Sequence, residues 1–261
     1  MPREVLVRRE VVERLLSINR GFYQSFAQPF RVTRGRLQPG VVRVLESVRL
    51  DANVLDIGCA HGALAEELRE RGFSGRYVGL DASRPLLESI SEPLQPPRYQ
   101  FGLADLSDDE WPETARTLLR EDPASGPGNA GRSSQFDWAF AFAVLHHLPT
   151  TELRTSTAIA IRALLSAECC VAVSVWDFLA SPRLRDRVVP WETVDLGKDE
   201  VDEGDYLVDW REGGRGVRYV HHFTEDELHK LADEAGYRVA QEYRSDGENG
   251  RLGLYQCWEV A

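Results

Sequence analysis

The chain is 261 residues long, 43% hydrophobic and 28% charged, an ordinary globular composition with room for one α/β domain and an elaboration or two. Its apolar runs are short, Cys169 to Val173 being typical, so nothing could span a bilayer; the MPREVLVRRE start has no signal-peptide core, which makes the cytoplasm the expected address. The net charge of −11 argues against nucleic acid, yet residues 1–50 hold ten arginines against four glutamates, a local balance of +6 that leaves −17 for the rest.

That asymmetry fits an N-terminal segment facing something anionic and, equally, a solvated helix face. Val7, Val11, Leu15, Ile18 and Phe22 form one stripe of an amphipathic helix. An aromatic stretch from Phe22 to Phe30 follows, then a basic turn from Arg31 to Arg36, and a second short helix fits Val41 to Val48. Residues 1–50 therefore read as a helical cap placed before the first strand.

From residue 53 strands and helices alternate. Val54 to Ile57 is a short strand running into a glycine turn; Ala63 to Arg71 is a helix stopped by Gly72. Tyr77 to Leu80 is the next strand, and Ser83 can cap a helix carrying Leu86, Leu87 and Ile90. Phe136 to Phe142 and Cys169 to Trp176 are further strands, with a helix from Thr151 to Leu165 between them. This order predicts a parallel sheet covered on both faces. Cys169 and Cys170 would point to opposite faces, and with Cys59 and Cys257 they match neither a zinc site nor a disulfide framework.

Two insertions interrupt the 51–261 domain. Residues 121–135 are rich in glycine, serine and proline and are predicted to be a mobile loop. Residues 179–222 are long and charged, carry Trp191 and Trp210, and would elaborate the substrate side. The tail begins with a capping box, Thr224 to Glu227, with Phe223 and Leu228 as a hydrophobic staple. Leu228, Leu231 and Ala235 make a buried stripe ended by Gly236. Tyr237 to Tyr243 and Leu252 to Val260 then alternate apolar and polar residues about the turn from Asp246 to Gly250, a closing β-hairpin.

The chemistry gathers at strand ends. Asp56-Ile57-Gly58-Cys59-Ala60-His61-Gly62 joins the first strand to its helix, where glycines allow a ligand to approach the backbone. The glycines stand four apart after an acidic residue, unlike the G-x-G-x-x-G of a dinucleotide site. A pyrophosphate would be repelled by Asp56, whereas a ligand carrying an ammonium and a sulfonium would not. Asp81 closes the second strand twenty-five residues later, where a carboxylate can accept two ribose hydroxyls, and Asp105 stands where a third could meet an adenine amino group. Each aspartate singly is more often a cap or turn residue; three at successive strand ends are a pattern.

This set resembles the class I S-adenosylmethionine-dependent methyltransferases, with Asp56, Gly58, Gly62, Asp81 and Asp105 in matching positions and Ala60 where the middle glycine usually stands. The resemblance implies a Rossmann-like α/β fold, a parallel sheet flanked by helices and closed by an antiparallel hairpin. It also implies an S-adenosyl-L-methionine site made by Asp56, Gly58, Cys59, Gly62, Asp81, Ala82, Asp105, Leu106 and Phe142. Phe140 to Leu148 resembles the family's segment beneath the methionine part of the cofactor, where His146 would contact cofactor or substrate, or simply cap a helix.

The flanks are more particular. Phe22-Tyr23 through Phe26-Ala27-Gln28-Pro29-Phe30-Arg31-Val32-Thr33-Arg34, Ala143-Val144-Leu145-His146-His147, Val175-Trp176, Asp205-Tyr206-Leu207-Val208-Asp209-Trp210 and Arg218-Tyr219-Val220-His221-His222-Phe223 resemble motifs of the tRNA carboxymethyluridine methyltransferases, with Asp209 in place of a proline. That family includes the methyltransferase half of the AlkB-type tRNA hydroxylase fusion. The resemblance implies methyl transfer to the carboxylate of 5-carboxymethyluridine at the tRNA wobble position. Arg31, Arg34, Arg36, Arg211, Arg215, Arg218 and His221 would then attract phosphates or the carboxylate, and His146, Arg34 and His221 are the catalytic candidates. Some relatives work with a small zinc-binding activator protein docked along the sheet edge, so the resemblance admits such a partner beside a tRNA or small-molecule substrate, without the chain itself deciding it; the chain has no zinc motif of its own.

Rival readings keep the cofactor site. A small-molecule O-methyltransferase would use residues 1–50 and 179–222 as a hydrophobic lid, and Phe22, Tyr23, Phe26, Phe30, Trp191 and Trp210 serve that as well as base stacking. A non-catalytic cofactor-binding regulator is a third reading, and a nicotinamide-dependent oxidoreductase is disfavoured by the glycine spacing.

Overall fold

A computed structural model describes residues 7–91, 94, 98–120, 135–247 and 249–261. Three helices come first, α1 (Arg9–Ser25), α2 (Ala27–Thr33) and α3 (Pro39–Leu45). Strands and helices then alternate through β1 (Asn53–Ile57), α4 (Ala63–Glu70), β2 (Arg76–Asp81), α5 (Arg84–Leu87), β3 (Tyr99–Leu103), α6 (Trp111–Arg120), β4 (Phe136–Phe142), α7 (Thr151–Arg162) and β5 (Leu165–Trp176). One turn of helix, α8 (Pro182–Arg185), leads into β6 (Val188–Val189), β7 (Asp205–Trp210) and β8 (Gly216–His221). Helix α9 (Glu225–Glu234) and the hairpin β9 (Tyr237–Ser245) and β10 (Gly253–Val260) finish the chain.

The main sheet has the order β3-β2-β1-β4-β5-β10-β9, parallel except for β10, which is antiparallel to both neighbours. The predicted parallel sheet with a closing hairpin is thus what forms. Its order reverses between β1 and β4, so a crevice opens there beyond the carboxyl ends of the strands. Leu55, Ile57, Val78 and Leu80 pack one face against α6, α7 and α9, while Val54, Tyr77 and Phe140 pack the other against α3 and α4. Cys169 and Cys170 fall on these two opposite faces, as strand alternation requires.

Within the 179–222 segment β6, β7 and β8 form a separate antiparallel sheet. Val11 and Leu15 of α1 bury against its Leu207 and Tyr219, with Trp191 in the same cluster. The β7–β8 turn is fastened to the α1–α2 junction. A Cβ on Gly213, whose φ is +69, would come within 2.4 Å of Pro29, and one on Gly216 within 2.5 Å of Phe26. The N-terminal helices and this small sheet therefore make one layer over the strand ends.

Several local expectations change. Residues 27–33 form α2 instead of a turn, with Pro29 in its first turn, where a missing N–H does no harm. Helix α7 ends at Arg162 and β5 starts at Leu165, so the strand takes residues expected in helix or loop. Ser83 precedes a single helical turn and makes no side-chain cap; its hydroxyl donates to the Tyr23 carbonyl at 3.2 Å. The Thr224 hydroxyl accepts from Glu227 N at 3.1 Å, but the Glu227 carboxylate turns away to His221, so only half of the capping box forms. Residues 121–134 of the predicted mobile loop, and residues 1–6 of the cap, lie outside the described residues. Among the described residues no helix is long and apolar enough to cross a membrane.

Candidate active site

A cavity of about 350 Å³ occupies the crevice beneath α1, and the three aspartates of the sequence pattern line it together. Asp56, next to last in β1, is buried and accepts a short hydrogen bond from the Tyr77 hydroxyl. Burial pushes its carboxyl up to about 7, with the Tyr77 bond opposing and the Asp81 charge adding. Asp81 ends β2 and accepts from Ser83 N at 2.7 Å and Ala60 N at 2.9 Å. Burial raises it to about 6 despite those two amides. Asp105, after β3, is opposed by partial burial, yet Ser107 and the Arg20 guanidinium hold its carboxyl below the ordinary value.

The turn between β1 and α4 shows why glycines stand where they do. Gly58 has φ +73, and a Cβ there would lie 2.4 Å from Val144. Ala60 takes φ +50 although it has a side chain, at a cost of about 1 kcal/mol. That conformation aims its N–H at Asp81, so the departure from the usual glycine is accommodated within the carboxylate cluster. Gly62, with φ +78, starts α4 behind the cavity wall.

The far end of the cavity is aromatic and basic. Arg218 of β8 is 5% exposed, and its guanidinium lies 4.9 Å from the Phe22 ring centre, 5.1 Å from Trp210 and 5.3 Å from Trp176. Among the described residues no carboxylate lies within ion-pairing distance of it, and its Nε has no hydrogen-bond partner. Burial pulls its pKa down, and the neighbouring Tyr23 hydroxyl, which accepts from it, opposes that shift. His146 is buried with its pKa far below the ordinary value, and its Nδ1 accepts from Trp176 N at 3.3 Å, which leaves the proton on Nε2. His147 sits between Tyr23 and Tyr219, and burial holds it at about 3.

Of the residues expected to hold the cofactor, Asp56, Gly58, Cys59, Asp81, Ala82, Asp105, Leu106 and Phe142 line this cavity; Gly62 does not. His146, Arg34, Arg36 and Arg218 also line it. His221 does not, which corrects its candidacy: it is held at 2.7 Å by both Asp205 and Glu227 in a buried network. The reason lies in the strand. Residues 218 and 221 are an odd number apart, so they face opposite sides of β8. Arg211 pairs with Asp209 at 2.5 Å, and Arg215 is exposed outside the cavity lining. Phe22, Trp191 and Trp210 are buried and present no open stacking face. Sequence reasoning missed Asn19, Arg20, His61 and Asp246, all in the lining. The place of His61 inside the glycine turn and the acidic Asp246 beside a turn glycine were the available hints.

A mostly parallel sheet closed by a hairpin, with three strand-end carboxylates around one glycine turn, defines a class I S-adenosylmethionine-dependent methyltransferase. A sequence profile of the methyltransferase domain matches residues 30–242, and the chain belongs to that family. The fold is similar to an S-adenosylmethionine-dependent methyltransferase from Methanosarcina mazei, at TM-score 0.59 and 19% identity over 86% of this chain and 98% of that one. It is also similar to magnesium protoporphyrin IX methyltransferase from Synechocystis PCC 6803 with bound SAM, at 0.56 and 14% over 94% and 97%. DhpI, solved as a complex with SAM and HEP, matches at 0.58 and 18% over 97% and 99%. No curated protein sequence matches the chain. The protein is an enzyme whose cofactor is S-adenosylmethionine.

Proposed function

We propose that the enzyme transfers a methyl group to a carboxylate, and the observation that carries this reading is Arg218. A buried cation with no counter-ion costs several kcal/mol of desolvation; the surrounding rings offset about 0.5–2 kcal/mol each, and the Tyr23 hydroxyl accepts from the guanidinium without supplying a charge. A site built this way is completed by an anion. When bound, the cofactor supplies an electrophilic methyl on a sulfonium. The chain's part is to hold ribose at Asp81 and adenine at Asp105, to seat the acceptor against Arg218, and to exclude water with Phe22, Trp176 and Trp210. A carboxylate is already a nucleophile, so alignment supplies most of the acceleration, about 7–11 kcal/mol when well oriented.

The flank motifs favour the carboxymethyl group of a wobble uridine in tRNA as the specific acceptor, and in that reading Arg34 and Arg36 at the cavity receive phosphates. The zinc-binding activator belongs to this reading; β3 and β9 are the two edges of the sheet, and β3 carries the exposed Leu103. A small organic acid is the second reading, favoured by α1 lying across the cavity and by the burial of Trp191 and Trp210. In both, the N-terminal cap and residues 179–222 cover the acceptor side. The four unpaired cysteines fit a reducing cytoplasm.

The test is methyl transfer from labelled cofactor to carboxymethyl-bearing tRNA and to a panel of small acids. A methyl ester releases methanol in mild base. Nucleoside mass spectrometry showing methoxycarbonylmethyluridine supports tRNA, a base-labile small product supports the second reading, and a base-stable product refutes the carboxylate.

A further inference from the structure

Helix α1 is fastened across the strand ends at both ends of the cavity. On the adenine side, Arg20 Nε donates to Asp105 Oδ2 at 2.5 Å and its Nη2 donates to Ser107 Oγ at 2.9 Å. Midway, Ser83 Oγ donates to the Tyr23 carbonyl at 3.2 Å. On the acceptor side, the Asn19 amide donates to the carbonyls of Tyr219 and His147, at 3.1 and 3.3 Å. A nucleoside spanning Asp81 and Asp105 therefore lies under the stretch of α1 between Asn19 and Tyr23.

The Asp105 carboxylate can serve two masters. Its Oδ1 accepts from Ser107 N at 2.9 Å and Ser107 Oγ at 2.7 Å, and its Oδ2 accepts from Arg20. A carboxylate offers about four acceptor positions, so one remains for an adenine amino group while Arg20 stays bound. The Arg20 contact need not break when the cofactor is in place. A nucleoside that passes beneath the helix at this end requires it to break.

We infer that Arg20 latches α1 over the nucleoside end of the site and that its release from Asp105 and Ser107 gates cofactor exchange. This rests on the placement of adenine at Asp105 and is independent of the acceptor. The latch is two-pronged and partly open to solvent, with side-chain exposures of 43% for Arg20 and 21% for Asp105. Its contribution is therefore kinetic and modest.

Stopped-flow binding of S-adenosylhomocysteine to the full chain, with no acceptor present, tests it. Arg20→Ala should raise the association and dissociation rate constants together by about three- to tenfold, the scale of one partly exposed charge-assisted contact, and leave Kd within about twofold. Arg20→Lys, which keeps the charge and loses one prong, should fall between. Unchanged rates in both variants overturn the latch. Faster dissociation with unchanged association and a proportionally weaker Kd overturns it too, because Arg20 would then be an ordinary cofactor contact. Asp105→Ala reads the underlying placement separately: unchanged affinity there would remove adenine from Asp105.

Discussion

The Tyr23 hydroxyl donates to His147 Nε2 at 2.8 Å, and His147 Nδ1 donates to the Tyr219 carbonyl at 3.1 Å. Both ring nitrogens are thus committed, and burial, with the Arg218 charge adding, holds the imidazole at about 3. Such a histidine is a poor proton acceptor at neutral pH. A hydroxyl acceptor would need a base, and loss of a working base costs about 10²–10⁴-fold in rate. With a carboxylate acceptor, His147→Gln should lower kcat less than about tenfold at saturating cofactor, and kcat should stay flat from about pH 7 to 9. A loss of three orders of magnitude would point to a hydroxyl substrate.

Arg218→Met separates stability from function. The substitution removes a buried cation and keeps an apolar side chain among Phe22, Trp176 and Trp210. Relief of desolvation, several kcal/mol, opposes the loss of ring contacts at about 0.5–2 kcal/mol each, so the melting temperature should hold or rise. Methyl transfer to a carboxylate acceptor should drop by about 10²-fold or more, the usual consequence of losing a charged anchor, with S-adenosylhomocysteine affinity unchanged. A variant that melts earlier and still turns over normally would make Arg218 a structural residue.

Cofactor affinity should depend on pH through Asp81, whose carboxyl is raised by burial to about 6. Ribose hydroxyls donate to the ionised form, so S-adenosylhomocysteine should bind more tightly as pH rises through about 6 and more weakly below it. Protein stability moves the opposite way. A raised carboxyl keeps its proton in the folded state after the unfolded chain has lost it, so folding loses stability from Asp81 as pH rises from its ordinary range, near 3.8, toward about 6. Calorimetric titrations from pH 5 to 8 should show the affinity step near pH 6 in the wild type and its loss in Asp81→Asn, leaving only a step near pH 7 from Asp56. An equal slope in both would detach Asp81 from the ribose.

What was legible in the sequence follows from short-range physics. The cofactor end is coded locally: Gly58 and Gly62 mark a turn of positive φ, Asp56 lies inside the apolar run just before it and Asp81 ends the next one, so strand period and turn chemistry suffice. The acceptor end is coded across the chain. Arg218 looks like any of its neighbouring arginines until β8 pairs with β7 and Phe22 arrives from α1. His221 could have been set aside from sequence, since alternation along a strand turns it away from Arg218; the shared motif hid that. Asn19 and Arg20 gave no signal, because their partners lie far along the chain.

Asn19 offers the sharpest test of how that distant wiring works. Its Oδ1 accepts from Tyr219 N at 2.9 Å and its Nδ2 donates to the Tyr219 carbonyl at 3.1 Å, so one buried amide matches both groups of one residue. Asn19→Leu leaves the Tyr219 N–H unsatisfied and should destabilise by about 1–3 kcal/mol. At this chain length that is about 2–6 °C in melting temperature. Asn19→Asp keeps the acceptor for Tyr219 N but sets an oxygen against the Tyr219 carbonyl, the group that orients His147. If Asn19 positions the acceptor pocket through Tyr219 and His147, the aspartate variant should raise the acceptor KM several-fold while kcat and S-adenosylhomocysteine affinity stay near wild type. A loss confined to melting temperature would mean that Asn19 holds the helix on the sheet and does nothing for the site.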